Sequence, residues 1–347
     1  MNDPKDMTEK RKTEHIRISL HEDVEGKNIS TGLENYRFLP DALPELSFKD
    51  VNLTADFLGK TMRTPFLISS MTGGTETAHK INQNLASAAQ ERGWAIGLGS
   101  MRAAVEKEEL AYTFQMRKRA PDIPIIANVG AVQLNYGFGP DECNRAVDIA
   151  EADALVLHLN TLQEVFQPEG DTDFSNLLSK IEQLIREVSV PVGVKEVGMG
   201  IDKASAERLI AAGVQFIDVA GAGGTSWVQV ESYRSEDAAR KKAAEAFLDW
   251  GIPTADSILS VRELSKDIPL IASGGLKHGV DAAKTLALGA DLAGFGRSLL
   301  QSAVEKNADA LLLQMDRIEF ELKAAMFGIG AANIDELKAT NRLIKKS

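Results

Sequence analysis

The chain's 347 residues are 44% hydrophobic and 26% charged, the balance of an ordinary soluble globular protein. Lys and Arg total 39 against 50 Asp and Glu, a net charge of −11, which excludes a partner held by bulk positive charge. Neither nucleic acid nor an anionic membrane surface is expected, and an anionic ligand must be held by a local cluster.

Cys143 is the only cysteine, so no intrachain disulfide forms and a reducing compartment is implied. Residues 1–14 are charged and lack the apolar stretch of a signal peptide, and no apolar run approaches the ~20 residues of a membrane helix. A cytoplasmic location is expected.

Residues 1–14 read as a mobile polar tail, with Arg11 and Lys12 adjacent near its end. Partial alternation over 46–58 predicts a strand pair ahead of the main fold. From Pro65 a rhythm of apolar strand, polar or glycine-rich turn and amphipathic helix recurs about every thirty residues, the size of a βα unit. Strands are predicted at 65–70, 95–99, 123–129, 154–159, 192–197, 216–220, 270–273 and 292–295. Helices are predicted at 78–91, 106–119, 142–150, 174–188, 202–212, 254–265, 280–288, 303–326 and, beyond the last unit, 334–344. This is the α/β count of a closed (β/α)8 TIM barrel spanning 63–347, with 1–62 as an N-terminal tail and extension, the whole a single structural domain. No Gly-x-Gly-x-x-Gly follows the first strand, as a dinucleotide fold would require. The connection 221–253 is long, holds an alanine-rich helix near 237–248, and reads as a lid or wall.

Chemistry in such a barrel sits at the C-terminal ends of the strands. Here nearly every end carries a hydroxyl, an amide, a cation or exposed backbone: Ser69-Ser70-Met71-Thr72, Ser100-Met101-Arg102, Asn128, His158 to Glu164, Lys195-Glu196, Gly221 to Thr225, Ser273-Gly274-Gly275-Leu276 and Gly296-Arg297. The last two ends pair glycine turns with a guanidinium at the usual phosphate-binding corner of this fold. Strand 154–159 places Val156, His158 and Asn160 on one face, with Gln163 and Glu164 following. Lys195 allows three readings: an ion pair, a Schiff-base amine, or a cation beside the N1 edge of a flavin. The phosphate corner and Asn128 suit a bound cofactor better than a Schiff base. Glu164 is either a solvated loop acid or a ligand to Mg2+. His158 is either a satisfied core histidine or a site residue. His15, His21, His79 and His278 show no metal-ligand spacing. Cys143 reads as structural.

The segments Met71-Thr72-Gly73-Gly74, Gly97-Leu98-Gly99-Ser100-Met101-Arg102, His158-Leu159-Asn160-Thr161-Leu162-Gln163-Glu164, Pro168-Glu169-Gly170-Asp171, Val194-Lys195-Glu196-Val197-Gly198 and Asp218-Val219-Ala220-Gly221-Ala222-Gly223-Gly224-Thr225 closely resemble the type 2 isopentenyl-diphosphate delta-isomerases. These are FMN-dependent (β/α)8 barrels. The resemblance runs from Arg11 to Arg297, and the 158–164 and 100–102 segments are its most specific parts.

The resemblance implies that FMN is held by Ser70, Met71, Thr72, Ser100, Asn128, Lys195, Thr225, Gly274, Gly275, Leu276, Gly296 and Arg297. It implies a substrate diphosphate on Arg11, Lys12, Ser100, Arg102, His158, Asn160 and Gln163, with Mg2+ on Glu164, and catalytic roles for Gln163, Lys195 and His158. The implied reaction interconverts isopentenyl and dimethylallyl diphosphate, in isoprenoid biosynthesis, with FMN kept reduced by NADPH. A homo-oligomer, tetramer or octamer, is implied too, while the residues do not say whether Arg11-Lys12 closes its own site or a neighbour's. Two alternatives stand beside this reading. One is an FMN-dependent oxidoreductase of the 2-hydroxy-acid oxidase type or its inosine-monophosphate-dehydrogenase-like cousin, disfavoured by the Ser273-Gly274-Gly275-Leu276 turn and by the placement of Cys143. The other is a non-catalytic phosphate-ligand binding protein.

Overall fold

A computed structural model describes residues 4–304 and 308–346. Eight parallel strands close into a barrel: β1 (Phe66–Ile68), β2 (Ala95–Gly97), β3 (Ile125–Gly130), β4 (Ala154–His158), β5 (Val192–Lys195), β6 (Phe216–Asp218), β7 (Leu270–Ala272) and β8 (Leu292–Phe295). Each pairs with its sequence neighbours, and β8 closes on β1.

Period-two alternation sorts the strand side chains. Leu67, Ala95, Ile126, Ala154, Val156, Phe216, Ile271 and Leu292 form one buried cluster, which includes Phe57 and Met62. Those two come from a hairpin, Ala55–Phe57 with Lys60–Met62, that plugs the N-terminal end, with Phe57 edge-on to Phe216 at 5.9 Å. Leu155, Leu157, Val192 and Val194 belong instead to the large cluster shared with the helices. Helix Leu177–Ile185 shows the logic: Leu177, Ile181 and Leu184 lie on one stripe and are all buried, each contributing roughly 1.5–3 kcal/mol of transfer free energy.

Several predicted elements need correction. The stretch 106–119 is not one helix: Arg102–Glu106 ends at extended Lys107, and Glu108–Phe114 is a 3-10 segment. Tertiary contacts override its helical pattern, since Phe114 is fully buried and the Thr113 hydroxyl accepts from the Gly74 N–H at 3.1 Å. The stretch 303–326 covers the end of helix Arg297–Val304 and most of helix Ala308–Gly328, with 305–307 outside the described residues. In 334–344 only Ile334–Lys338 is helical; Leu343–Lys345 is a strand, antiparallel to Tyr36–Phe38. The strand pair expected over 46–58 is the hairpin ending at Met62, and 237–248 is the shorter helix Ala238–Ala244 followed by a 3-10 turn.

The largest correction concerns the tail. Residues Pro4–His21 form a helix with Ile16 and Ile18 buried. A second helix absent from the expectation, Trp227–Arg234, lies in the long 221–253 connection, capped by the Ser226 hydroxyl. No helix among the described residues is long and apolar enough to cross a membrane.

Candidate active site

Parallel register decides which side chains meet at the barrel mouth. Gly130 pairs with His158, His158 with Lys195, and Lys195 with Asp218, so a histidine, an amine and a carboxylate stand side by side on neighbouring strands. Above them opens a cavity of about 580 Å³. Its lining includes Arg11, Lys12, Ser70, Met71, Thr72, Ser100, Arg102, Asn128, His158, Asn160, Gln163, Glu164, Lys195, Thr225, Gly274, Gly275, Leu276, Gly296 and Arg297. Every residue that the resemblance assigned to FMN, substrate or metal therefore lines one space. His15, Glu25, Gln167, Trp227 and Ser298 line it too, and the sequence did not single them out for it. Cys143 is not among the lining residues; it is fully buried, and burial, with Glu142 nearby, pushes its thiol up to about 12, so it is inert.

The histidine of this floor is held neutral. Asn128 donates from Nδ2 to the Leu98 carbonyl at 3.1 Å, which leaves its Oδ1 to accept from His158 Nδ1 at 2.8 Å. The proton of neutral His158 is thereby placed on Nδ1, and Nε2 is left bare. Burial, then the positive charges of Lys195 and Lys12, holds its pKa down to about 3. Lys195 is only 7% exposed and donates to the Glu196 carbonyl at 2.6 Å. Burial lowers its pKa, and Asp218 and Glu196 oppose that.

A lid covers this floor. Lys12 donates to the Ser100 carbonyl at 3.0 Å, and burial, with Arg11 beside it, brings its ammonium down to about 7. One turn on, His15 Nε2 meets Glu231 Oε1 at 3.0 Å and the ring stands edge-on to Trp227 at 5.1 Å. Glu231 also accepts from Gln163 Nε2 at 3.0 Å and from Arg234 at 2.6 Å. Arg234 reaches Glu14 at 3.1 Å and Glu169 at 2.8 Å. One buried carboxylate thus ties the N-terminal helix, the insertion helix and helix Thr161–Phe166 together over the barrel mouth. This corrects the mobile tail. The helix reads as polar because its covering face meets a polar cavity.

Asn160 lies beyond the end of β4 and precedes helix Thr161–Phe166. Its Nδ2 donates to Glu164 at 2.8 Å, while its Oδ1 is buried without a partner. Glu164, 8% exposed, also accepts from the Asp171 N–H at 2.8 Å and Gln167 at 3.3 Å; burial pushes its pKa up. It is no solvated loop acid. Arg102 is held by Asp171 at 2.5 Å and Glu106 at 2.7 Å.

At the opposite corner, Gly274 and Gly275 adopt φ 107 and 77. A Cβ on Gly274 would come within 2.1 Å of the Gly221 carbonyl oxygen. Gly274→Ala is therefore expected to combine backbone strain with a main-chain clash, costing about 3 kcal/mol or more; a melting curve checks it.

Curated relatives match nearly the whole chain. An isopentenyl-diphosphate delta-isomerase of Oceanobacillus iheyensis is 56% identical, covering 96% of this chain and 95% of the relative. One from Nostoc sp. is 54% identical over 97% and 96%, and one from Rickettsia rickettsii 48% over 96% and 97%. The chain belongs to the type 2 isopentenyl-diphosphate delta-isomerase family. The FMN-dependent dehydrogenase profile also matches, over residues 143–344, the part of the isomerase barrel that holds β4 to β8. Solved structures share the isomerase's fold: a lactate oxidase of Pediococcus acidilactici (TM-score 0.68, 16% identity, 100% of this chain and 96% of that one) and the flavin-binding domain of baker's yeast flavocytochrome b2 (TM-score 0.68, 17% identity, 95% and 82%). At that identity the likeness concerns the barrel alone.

Proposed function

We propose that this isomerase interconverts isopentenyl and dimethylallyl diphosphate in isoprenoid biosynthesis with reduced FMN and Mg2+, NADPH serving as reductant. The observation that carries the reading is the mismatch between cations and acids around the cavity. Arg11, Lys12 and Arg102 supply positive charge for a diphosphate. Yet His158 is neutral, Gln163 has no acidic proton, and Glu231 is held ionised by its partners at about 2 although burial opposes it. Protonating an unactivated alkene needs a general acid within reach, and His158, Gln163 and Glu231 do not provide it.

The residues present fit both groups. In the glycine corner the hydroxyls of Ser69 and Ser298 are buried without partners, donors that suit a phosphate beside Gly274, Gly275, Gly296 and Arg297. Ser70, Met71, Thr72, Ser100, Asn128, Thr225, Leu276 and Lys195 would hold the remainder of FMN. Near the diphosphate side, Glu164 and the unpartnered Asn160 Oδ1 are hard oxygens suited to Mg2+. The described residues contain no cluster of three or more acidic, His or Cys ligands, so the ion would be shared with substrate phosphate oxygens. When bound, reduced FMN would supply the acid–base chemistry that these side chains lack. The protein's part is to bind the diphosphate through Arg11, Lys12, Ser100, Arg102, His158, Asn160 and Gln163, to orient the hydrocarbon, and to exclude water with the Pro4–His21 lid. Lys195 sets the charge at the flavin edge. The assembly proposed is a homo-oligomer, tetramer or octamer, in the cytoplasm, which sedimentation and fractionation check.

The test is direct. Protein mixed with FMN should show a bound-flavin spectrum, and anaerobic isopentenyl diphosphate with FMN, Mg2+ and NADPH should yield dimethylallyl diphosphate. Absence of flavin binding or of that product sinks the reading. A diphosphate offsets the cations that depress His158 and favours a proton on its bare Nε2, so His158→Asn is expected to raise KM roughly ten- to a hundredfold by removing that charge-assisted contact, with kcat little altered. A collapse of kcat alone would instead make His158 the acid.

A further inference from the structure

Glu25 stands among the cations of the corner given above to the cofactor's phosphate. Residues 24–26 are fixed by main chain: the Ser226 N–H donates to the Val24 carbonyl at 2.7 Å, the Gly26 N–H to the Gly224 carbonyl at 3.4 Å, and Glu25 bridges Thr225 antiparallel. With its backbone pinned, the Glu25 carboxylate turns toward the corner. Lys277 Nζ lies 3.1 Å from it, and Arg297 contacts it directly through Nη2. All three side chains line the cavity, and the carboxylate is only 35% exposed. The two cations nearest the glycine turns are therefore already engaged by an internal anion.

A phosphate monoester brings up to two negative charges. Placed in this corner, it shares Arg297 and Lys277 with Glu25 or takes them from it, and the two anions repel across a partly desolvated gap.

We propose that Glu25 is an internal competitor for the phosphate of FMN. It holds Arg297 and Lys277 in the flavin-free protein, so the phosphate gains them only as Glu25 gives way. The carboxylate thereby sets FMN affinity below what the corner alone would give and narrows the preference for FMN over riboflavin, which lacks the phosphate. This rests on reading the corner as the FMN phosphate site.

The test compares flavin-free wild type with Glu25→Gln, which keeps the side-chain shape and removes the charge. Each is titrated with FMN and with riboflavin, followed by quenching of flavin fluorescence. The variant is expected to bind FMN about fivefold tighter, the scale of one or two partly exposed ion pairs, with riboflavin affinity unchanged and the gain shrinking as salt is raised. If FMN binding is unchanged or weaker in the variant, Glu25 orients Arg297 rather than competing, and the proposal is overturned. Equal tightening of FMN and riboflavin overturns it also, because the phosphate is then not the group sensed. If wild type binds neither flavin, the cofactor reading fails and the proposal falls with it; wild type binding FMN while the variant binds no tighter overturns the proposal alone.

Discussion

Lys195→Asn is expected to lower turnover by at least about a hundredfold, the scale of removing one preorganised donor from a water-poor site. The same change should weaken reduced FMN more than oxidised FMN. The reason is the setting of the amine. Lys195 ends β5 between His158 and Asp218 in register, its side chain is buried, and the described hydrogen bond takes it to the Glu196 carbonyl at 2.6 Å. An ammonium carries three N–H donors, so donors remain for a ligand at the mouth. Burial lowers its pKa, and the negative charge of Asp218 and Glu196 opposes that and favours the ammonium. Reduction of a flavin puts negative charge at its N1 edge, where a fixed cation selectively stabilises the reduced form. Asn keeps a hydrogen-bond donor and loses the charge. A midpoint potential shifted to more negative values, measured with bound FMN, is the readout; an unchanged potential with unchanged turnover removes Lys195 from the mechanism.

The second large effect is on stability. Glu231→Ala is expected to cost about 3 kcal/mol, which for a chain of this length is roughly 4 °C in melting temperature. Glu231 is 0% exposed and serves His15, Gln163 and Arg234 together. The cost stays at the lower end because Arg234 retains Glu14 and Glu169. Its pH dependence has a definite sign. Burial alone would raise the Glu231 pKa, but the donors around it hold it at about 2, below the ordinary 4.5. Its contribution is therefore complete above pH 4.5 and is lost as pH falls toward 2. Because burial lowers the His15 pKa as well, His15 acts at neutral pH as an N–H donor and Arg234 as the permanent charge. Wild type and variant should converge in stability at low pH; a constant gap down to pH 2 would place the effect in packing.

The barrel is legible in the chain because each strand is a short apolar run whose polar residues arrive only at its C-terminal end, as in Ala154 to Asn160. Period-two alternation along β4 separates Val156 from Leu155 and Leu157 as the structure does. The polar strand ends that line the cavity were legible for the same reason. What escaped is the lid. Trp227–Arg234 reads Trp-Val-Gln-Val-Glu-Ser-Tyr-Arg, rich in residues that favour strands, and its helix is settled by the Ser226 cap and by Glu231 and Arg234 three residues apart. The Pro4–His21 helix buries Ile16 and Ile18 but otherwise faces polar partners, so no apolar stripe announces it. A long-range link such as His15 to Glu231 has no local signature. The Leu343–Lys345 strand was hidden likewise, since three residues carry too little pattern to mark a partner as distant as Tyr36–Phe38.

The lid also fixes an order of assembly. The Pro4–His21 helix is anchored far along the chain: Glu231 and Arg234 follow six of the eight strands, and the Glu25 strap pairs with Lys277 and Arg297. Contacts across more than two hundred residues form slowly. The folding barrel therefore exists for a time with its mouth uncovered, and the lid docks only after most of the strands are paired.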